Sequence, residues 1–196
     1  MTKTQDDTSS LSIELLQKLI ATTSFSKEEE KAADVIRKFL KSKKIPFETK
    51  LNNTYAKNKH YNFLKPTILL NSHIDTVKPV NGWNKDPFTA TIEDGKLIGL
   101  GSNDAGAALV CLLETFLHFY DKEELKYNLI FAATAEEEIS GKNGIEQIDE
   151  ITSACEFAIV GEPTEMKMAI AEKGLMVLDG EVKGKAGHAA RNEGVN

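Results

Sequence analysis

Three short apolar segments of strand length recur along the chain, at Thr67–Ser72, Tyr127–Ala133 and Phe157–Val160. Helical or turn-rich segments separate them, and an acidic residue or a histidine follows each one within three residues. Strands that alternate with helices build a largely parallel sheet, and functional side chains collect at the carboxyl ends of its strands. We therefore expect an α/β fold with a mixed, mostly parallel sheet flanked by helices.

The other predicted elements follow from periodicity and from capping or turn residues. Ser26 and Glu29 have the spacing of a capping box at the start of a helix. Asp94-Gly95 is typical of the tight turn of a hairpin, and the polar stretch Asn52–Lys65 is predicted to be a loop. The predicted helices are Leu11–Ala21, Lys27–Lys41, Ala105–Tyr120 and Gly141–Glu150, and the further strands are Pro46–Lys50, Phe88–Glu93, Lys96–Gly99 and Gly174–Lys183.

Composition excludes several classes of protein. The formal net charge is -6, and no block of lysine and arginine with interleaved aromatic residues favours a nucleic-acid partner. No apolar run reaches the length of about 18 residues that a membrane span needs. The polar segment Met1–Asp7 lacks the apolar region of a signal peptide. Two cysteines, Cys111 and Cys155, suit a reducing compartment, so we expect a cytoplasmic protein with buried thiols.

Candidate ligands lie where the predicted strands end. His73 and Asp75 are two residues apart, so on an extended strand they share a face, as a metal-binding imidazole and its orienting carboxylate do. Asp104 lies in a glycine-rich turn, the triplet Glu136–Glu138 follows one strand, and Glu162 follows another. Singly, these acids also suit helix caps, helix starts and turns. Together, in this order, they favour a hydrolase-type site.

In this order the motifs resemble the M20 family of metallohydrolases. The family includes acetylornithine deacetylases, succinyl-diaminopimelate desuccinylases, aminoacylases, carboxypeptidase G2 and dipeptidases. The resemblance covers residues 11–196 and implies the N-terminal part of a metal-dependent catalytic domain at 1–172 and the start of a smaller α+β lid or dimerisation domain at 173–196. The motifs that carry it are His73-Ile-Asp75-Thr-Val, Gly-Ser-Asn-Asp104, the Glu136–Glu138 triplet, Val-Gly-Glu162-Pro-Thr and Gly-x-x-Gly-His188.

The resemblance assigns a role to each motif. It implies that His73 and Glu162 bind one zinc ion, that Glu138 binds a second, and that Asp104 bridges the two, often before a cis peptide bond. It further implies that Asp75 orients the imidazole, that Glu137 is the general base, and that His188 stabilises the transition-state oxyanion across a homodimer interface. Glu136 takes the place of the family's aspartate.

The chemistry of the residues agrees with these roles. Two metal ions about 3.5–4 Å apart lower the pKa of water toward ~7, and a nearby carboxylate can pass its proton to the leaving amine. An imidazole and three carboxylates suit zinc, cobalt or manganese, and no thiolate joins them as in a zinc finger. The resemblance implies that the substrate is a small N-acyl amino acid, above all N-acetyl- or N-succinyl-ornithine in arginine biosynthesis.

Three features depart from the family pattern. Ala105 follows the bridging aspartate where a lysine or a second acid is usual, and Lys78 stands where a proline is expected. Family members are roughly twice as long, and their C-terminal half supplies another histidine ligand.

Four other functions are compatible with the sequence. Within the family, succinyl-diaminopimelate desuccinylation or dipeptide cleavage is the alternative. An inactive metal-binding fragment would take up metal without turnover. A nucleotide-binding module is suggested by Gly99-x-Gly101, although Asp104 at the third glycine position would repel a phosphate.

Overall fold

The computed structural model describes residues 3–171 together with residues 174, 176, 178, 180 and 181. The chain divides into two compact units, Met1–Pro163 and Thr164–Asn196. In the second unit, the amide of Lys167 donates to the carbonyl of Thr164 at 2.9 Å and closes a turn. Most of the predicted strand Gly174–Lys183 lies outside the described residues, and the domain boundary after residue 172 stays a prediction.

The elements of the first unit alternate as the sequence predicts. None of the helices in the described part of the chain is long and apolar enough to cross a membrane. The helices are α1 (Lys3–Ile20), α2 (Glu30–Ser42), α3 (Ala107–Phe119) and α4 (Asp149–Thr152), and the strands are β1 (Glu48–Lys50), β2 (Asn53–Lys57), β3 (Thr67–His73), β4 (Thr91–Glu93), β5 (Lys96–Ile98), β6 (Asn128–Thr134) and β7 (Phe157–Val160).

Five of the strands in the described residues form one sheet with the order β1-β2-β6-β3-β7. β3 pairs in parallel with both β6 and β7, whereas β2 runs antiparallel to its neighbours β6 and β1. Four of these five strands therefore run in the same direction, which confirms the mixed, mostly parallel sheet. β4 and β5 form a separate hairpin, in which Asp94 (φ 49°) and Gly95 (φ 75°) have the left-handed conformation that its tight turn requires.

The core lies on both faces of β6, all of whose residues are buried. Phe131 faces the cluster formed with α1, α2 and α3, and the alternate residues Ile130 and Ala132 pack against Ile148 and Ile151 on the opposite face. A strand covered on both sides must be apolar almost throughout, which explains the uninterrupted apolar run in the sequence.

The predicted loop Asn52–Lys65 is wrong because it contains the buried strand β2. The side chain of Asn53 donates to the carbonyls of Lys50 and Asn143, and its Oδ1 accepts from the amide of Ala135 at 3.0 Å. Thr54 accepts a hydrogen bond from the guanidinium of Arg37 at 3.1 Å. Polar side chains can lie in a buried strand when distant partners satisfy them, and a local pattern does not reveal those partners.

All four predicted helices differ from the observed ones in their bounds. α1 begins at Lys3 rather than Leu11, and α2 begins at Glu30 rather than Lys27. The segment predicted as Gly141–Glu150 contains a 3₁₀ turn at Ile145–Ile148 and only the start of α4. α3 begins at Ala107 rather than Ala105, because a π-helical turn with non-helical backbone angles precedes it. Cys111 on α3 is exposed, so the prediction of a buried thiol is wrong for that residue.

Candidate metal centre

The register of the sheet brings three candidate segments to one edge. His73 ends β3 and pairs with Thr134, the last residue of β6, so the acidic triplet Glu136–Glu138 emerges beside it. On the other side of β3, Val160 of β7 pairs with Asn71, and Glu162 follows two residues later. Candidate ligands that are distant in sequence therefore meet because their strands end at the same level.

The turn before α3 adds the fourth segment. Gly101 has a left-handed backbone (φ 71°), and a Cβ atom there would lie 2.6 Å from the Cγ2 atom of Thr76. This turn places Oδ1 of Asp104 at 3.1 Å from Nε2 of His73. The Asp104–Ala105 peptide bond is cis, as the family resemblance implies.

The imidazole of His73 is the centre of the cluster. Its side chain is fully buried, and Nε2 lies 3.7 Å from Oε2 of Glu162 and 3.8 Å from Oε2 of Glu137. Nδ1 faces the carbonyl oxygen of Asp75 at 2.9 Å. When Nδ1 donates its proton to that carbonyl, Nε2 presents its lone pair to the acidic groups, which is the tautomer a metal ligand needs.

Negative charge exceeds positive charge around this imidazole. Burial alone would lower the pKa of His73, but its interactions with Asp75 and Glu162 raise that pKa to about 11. The pKa of Glu137 is raised by burial and by the charges of Glu162, Asp75 and Asp104, although the charge of His73 acts against the increase. The pKa of Glu138 is also raised, first by burial and then by Asp104. Carboxyl groups crowded around one imidazole favour the entry of a cation.

Two groups of possible ligand atoms share His73. One group is His73, Asp104 and Glu138, and the other is His73, Glu137 and Glu162, with the atoms of each group within 4.8 Å of one another. An imidazole nitrogen with carboxylate oxygens is a ligand set that zinc, cobalt and manganese accept. The residues present therefore fit one or two such ions, and the geometry leaves the division of roles between Glu137 and Glu138 open.

Asp75 lies beside the candidate ligands and holds several of them in place. Its Oδ1 accepts from the amide of Glu137 at 3.0 Å, and its Oδ2 accepts from the amide of Glu138 at 3.2 Å and from the hydroxyl of Ser26 at 2.7 Å. Burial would raise the pKa of Asp75, but the imidazole of His73, whose Nδ1 also lies 3.4 Å from Oδ1, and the hydrogen bonds from Ser26 and the Glu137 amide lower it. Asp75 thus remains a hydrogen-bond acceptor for the acidic turn.

Sequence reasoning missed the role of Ser26 and Glu29. Ser26 is not the predicted N-cap of α2; the N-cap residue is Glu29, whose side chain caps nothing in the helix. The carboxyl group of Glu29 is completely buried and accepts hydrogen bonds from the amides of Lys27 and Glu136 and from Nδ2 of Asn52. The Ser-x-x-Glu spacing is the same for a capping box, so the local pattern alone does not distinguish the two arrangements.

Two further residues of the motifs lie away from the cluster or outside the described part of the chain. The carboxyl group of Glu136 faces Asn143, whose amide and Nδ2 donate to it at 3.2 and 2.8 Å. Glu136 therefore belongs to the support of the turn and not to the ligand group. His188 lies outside the described residues, and its role stays a prediction.

Comparison with known proteins agrees with this geometry. The profile of peptidase family M20/M25/M40 matches residues 69–184, more than half of the chain. An acetylornithine deacetylase of Shigella sonnei is 34% identical over 192 residues, which cover 91% of the chain and 49% of the relative. The chain thus spans about half the length of this curated relative.

Solved structures share the fold at low sequence identity. Human carnosine dipeptidase 1 matches with a TM-score of 0.65 and 19% identity, over 80% of the chain and 39% of its own. An M20 family metallo-carboxypeptidase of Sulfolobus solfataricus matches with a TM-score of 0.64 and 22% identity, over 82% of the chain and 37% of its own. A Bacillus subtilis protein described as a dinuclear metal-binding peptidase of family M20 matches with a TM-score of 0.60 and 18% identity, over 79% of the chain and 43% of its own.

Proposed function

The chain belongs to peptidase family M20/M25/M40, and we propose that it forms the catalytic part of a metal-dependent amidohydrolase that removes the acyl group from a small N-acyl amino acid. The observation that carries the proposal is the convergence of Asp104, Glu137 and Glu162 on Nε2 of His73. The identity with an acetylornithine deacetylase favours N-acetyl- or N-succinyl-ornithine as the substrate, and hence a step of arginine biosynthesis.

Two zinc ions are the proposed cofactors, with cobalt or manganese as alternatives for the same donors. His73, Asp104 and Glu162 would hold one ion, and Asp104 and Glu138 the other. The Bacillus subtilis protein of the same fold is described as a dinuclear metal-binding peptidase, which supports two ions. Bound ions supply Lewis acidity, which polarises the acyl carbonyl and lowers the pKa of water. Asp104 suits the shared position because its carboxyl group is 55% exposed and projects from a turn rather than from a packed helix.

Glu137 is the proposed general base. Its carboxyl group is 54% exposed and faces the ligand cluster, and Asp75 fixes its backbone amide. It would accept a proton from the attacking water and deliver it to the nitrogen of the leaving amine. His188 keeps its proposed role at the oxyanion, contributed in a homodimer by the partner subunit.

A substrate panel tests the function. Purified protein is freed of metal by chelation, reloaded with zinc, cobalt or manganese, and assayed with N-acetylornithine, N-succinyl-ornithine, N-succinyl-diaminopimelate and a dipeptide. We expect metal-dependent release of ornithine from an N-acyl-ornithine, with much slower turnover of the other compounds. A preference for N-succinyl-diaminopimelate or the dipeptide would replace the proposed substrate with the corresponding alternative.

Metal content separates an active enzyme from an inactive metal-binding fragment. Metal per chain is measured by mass spectrometry after exhaustive dialysis, on the same sample that is assayed. About two ions per chain with turnover supports the proposal. Metal uptake without turnover of any N-acyl amino acid would instead identify an inactive metal-binding fragment, and no uptake would overturn the metal-dependent function itself.

A further inference from the structure

We propose that Glu29 is a positioning residue that sets the backbone of the acidic turn Glu136–Glu138 and thereby aims the carboxyl group of Glu137. The inference rests on the function proposed above, in which Glu137 moves the proton. Glu29 itself touches neither the substrate nor the ligand cluster. Its action would pass through the backbone amide of Glu136, which donates to Oε1 of Glu29 at 3.3 Å.

Three consecutive backbone amides of the acidic turn donate hydrogen bonds to two buried carboxyl groups. The amide of Glu136 donates to Glu29, and the amides of Glu137 and Glu138 donate to the two oxygens of Asp75. A row of amides held in this way resembles the concave arrangement that backbone N–H groups form around an anion. The direction of the Glu137 side chain is therefore set by both carboxyl groups, one on each side.

Glu29 also holds two residues in an unfavourable backbone conformation. Both residues whose amides donate to it have positive φ angles, 75° at Lys27 and 53° at Glu136. Residues with a Cβ atom rarely adopt this left-handed conformation unless the surrounding contacts impose it. Without Glu29 the turn would lose one of these contacts, and Glu136 could relax toward an extended backbone that reorients the next residue.

The anchor of Glu29 lies in a third segment of the chain. Nδ2 of Asn52, in the turn between β1 and β2, donates to Oε2 of Glu29 at 2.9 Å. Asn143 and Gly141 support the turn from the other side. Asn143 donates to the carboxyl group of Glu136, and the amide of Gly141 donates to the backbone carbonyl of Glu136 at 2.8 Å. The acidic turn is thus fixed to the remainder of the unit on both sides, and Glu29 is a fully buried part of that support.

Glu29→Gln tests the proposal with little change in volume, and Glu28→Gln is the control at an exposed neighbour. The amide nitrogen of the new side chain would face Nδ2 of Asn52, so the anchor at Oε2 is lost. The remaining amide oxygen is uncharged, so the hydrogen bonds that it accepts from the amides of Lys27 and Glu136 become weaker. We expect kcat to fall about ten-fold, with KM within two-fold and metal content unchanged. We also expect hydrogen exchange at the Glu136 amide, followed by NMR, to accelerate about ten-fold.

Asn52→Ala keeps the test decisive if Glu29→Gln does not fold. It removes the anchor of Glu29 and leaves Glu29 in place, so a smaller change of kcat and of Glu136 exchange in the same direction is expected. A lower melting temperature with kcat per folded molecule equal to that of Glu28→Gln would show a purely structural residue and overturn the proposal. Unchanged exchange at Glu136 in the variants would overturn it as well.

The two hypotheses fail in different ways. If the unmodified protein hydrolyses no N-acyl amino acid, the proposed function fails, whereas hydrogen exchange at Glu136 still reports whether Glu29 holds the turn. If the unmodified protein is active and Glu29→Gln matches the control in kcat, the positioning role fails and the proposed function stands.

Discussion

Oδ1 of Asp75 accepts a hydrogen bond from the backbone amide of Glu137 at 3.0 Å, although the two residues follow different strands. The backbone carbonyl oxygen of Asp75 also lies within hydrogen-bond distance of Nδ1 of His73, at 2.9 Å. One residue therefore orients the imidazole through its main chain and the acidic turn through its side chain. This double contact explains why a histidine and an aspartate two residues apart at a strand end favour a metal site at that end of the sheet.

Replacing Asp75 with asparagine should weaken metal binding and catalysis together. Asparagine offers one acceptor oxygen, so the amide of Glu137 or Glu138 would lose its partner in a buried place, at a cost of about 1–3 kcal/mol. Metal affinity should fall about 10- to 100-fold, as when residues that orient metal ligands are changed. Isothermal titration with zinc measures the loss, and Asp94→Asn in the exposed hairpin turn is the matched control. Equal affinity in the two variants would refute this role of Asp75.

Glutamine at position 137 and glutamine at position 138 should have different effects. Glu137→Gln should reduce kcat by about 10²- to 10⁴-fold, the usual contribution of a general base, with metal content unchanged. Glu138→Gln should instead lower the metal content toward one ion per chain. Metal analysis and steady-state kinetics on the same preparations separate the two. The reverse pattern would mean that the roles of Glu137 and Glu138 are exchanged.

The sequence predicts most of the sheet and most of the candidate ligand cluster. The apolar runs that become β3 and β6 are buried almost throughout, so their pattern is strong and local. The shorter apolar run that becomes β7 also predicts a strand, although β7 lies at the end of the sheet order and its residues are exposed. His73 and Glu162 follow such runs directly, and the carboxyl ends of parallel strands must meet at one edge. For these residues, finding the strands is almost enough to predict that the two side chains come together.

The support of the cluster is much harder to predict. Asn53 and Thr54 look like loop residues, because the partners that allow their burial come from segments far away in the chain. Ser26 and Glu29 look like a capping box for the same reason, although their side chains reach Asp75 and Glu136. Long-range hydrogen bonds decide these positions, and neither propensity nor periodicity contains that information.

Alanine at Gly101 should destabilise the protein more than alanine at Gly95. Both glycines have nearly the same backbone angle, φ 71° and 75°, so both substitutions pay a similar cost of about 1–2 kcal/mol for a left-handed alanine. Only at Gly101 would the new methyl group meet the side chain of Thr76, at 2.6 Å, which should add about 1–3 kcal/mol. Urea unfolding measures the difference. Equal losses would show that Thr76 moves aside without cost.

The same pair of variants tests how the turn places Asp104. Gly101 opens the turn that carries Asp104 to His73, whereas Gly95 lies in the separate hairpin. Zinc affinity should therefore fall in Gly101→Ala and stay unchanged in Gly95→Ala. An unchanged affinity in both variants would mean that Asp104 reaches the cluster independently of the conformation at Gly101.

Tyr55 should make the stability of the protein decrease above pH 10. Burial and the hydrogen bond from its hydroxyl to Glu48, at 3.0 Å, raise the pKa of Tyr55 to about 12. Below pH 10 both folded and unfolded chains hold the phenol proton, so this contribution to stability is complete. Between pH 10 and about 12 the unfolded chain releases that proton while the folded chain keeps it, so the free energy of unfolding falls, by roughly 2–3 kcal/mol in total. Urea unfolding from pH 8 to 12 should show a smaller decrease in Tyr55→Phe, which has no proton to release. Identical pH profiles for the two proteins would mean that the phenol titrates alike in the folded and unfolded chains.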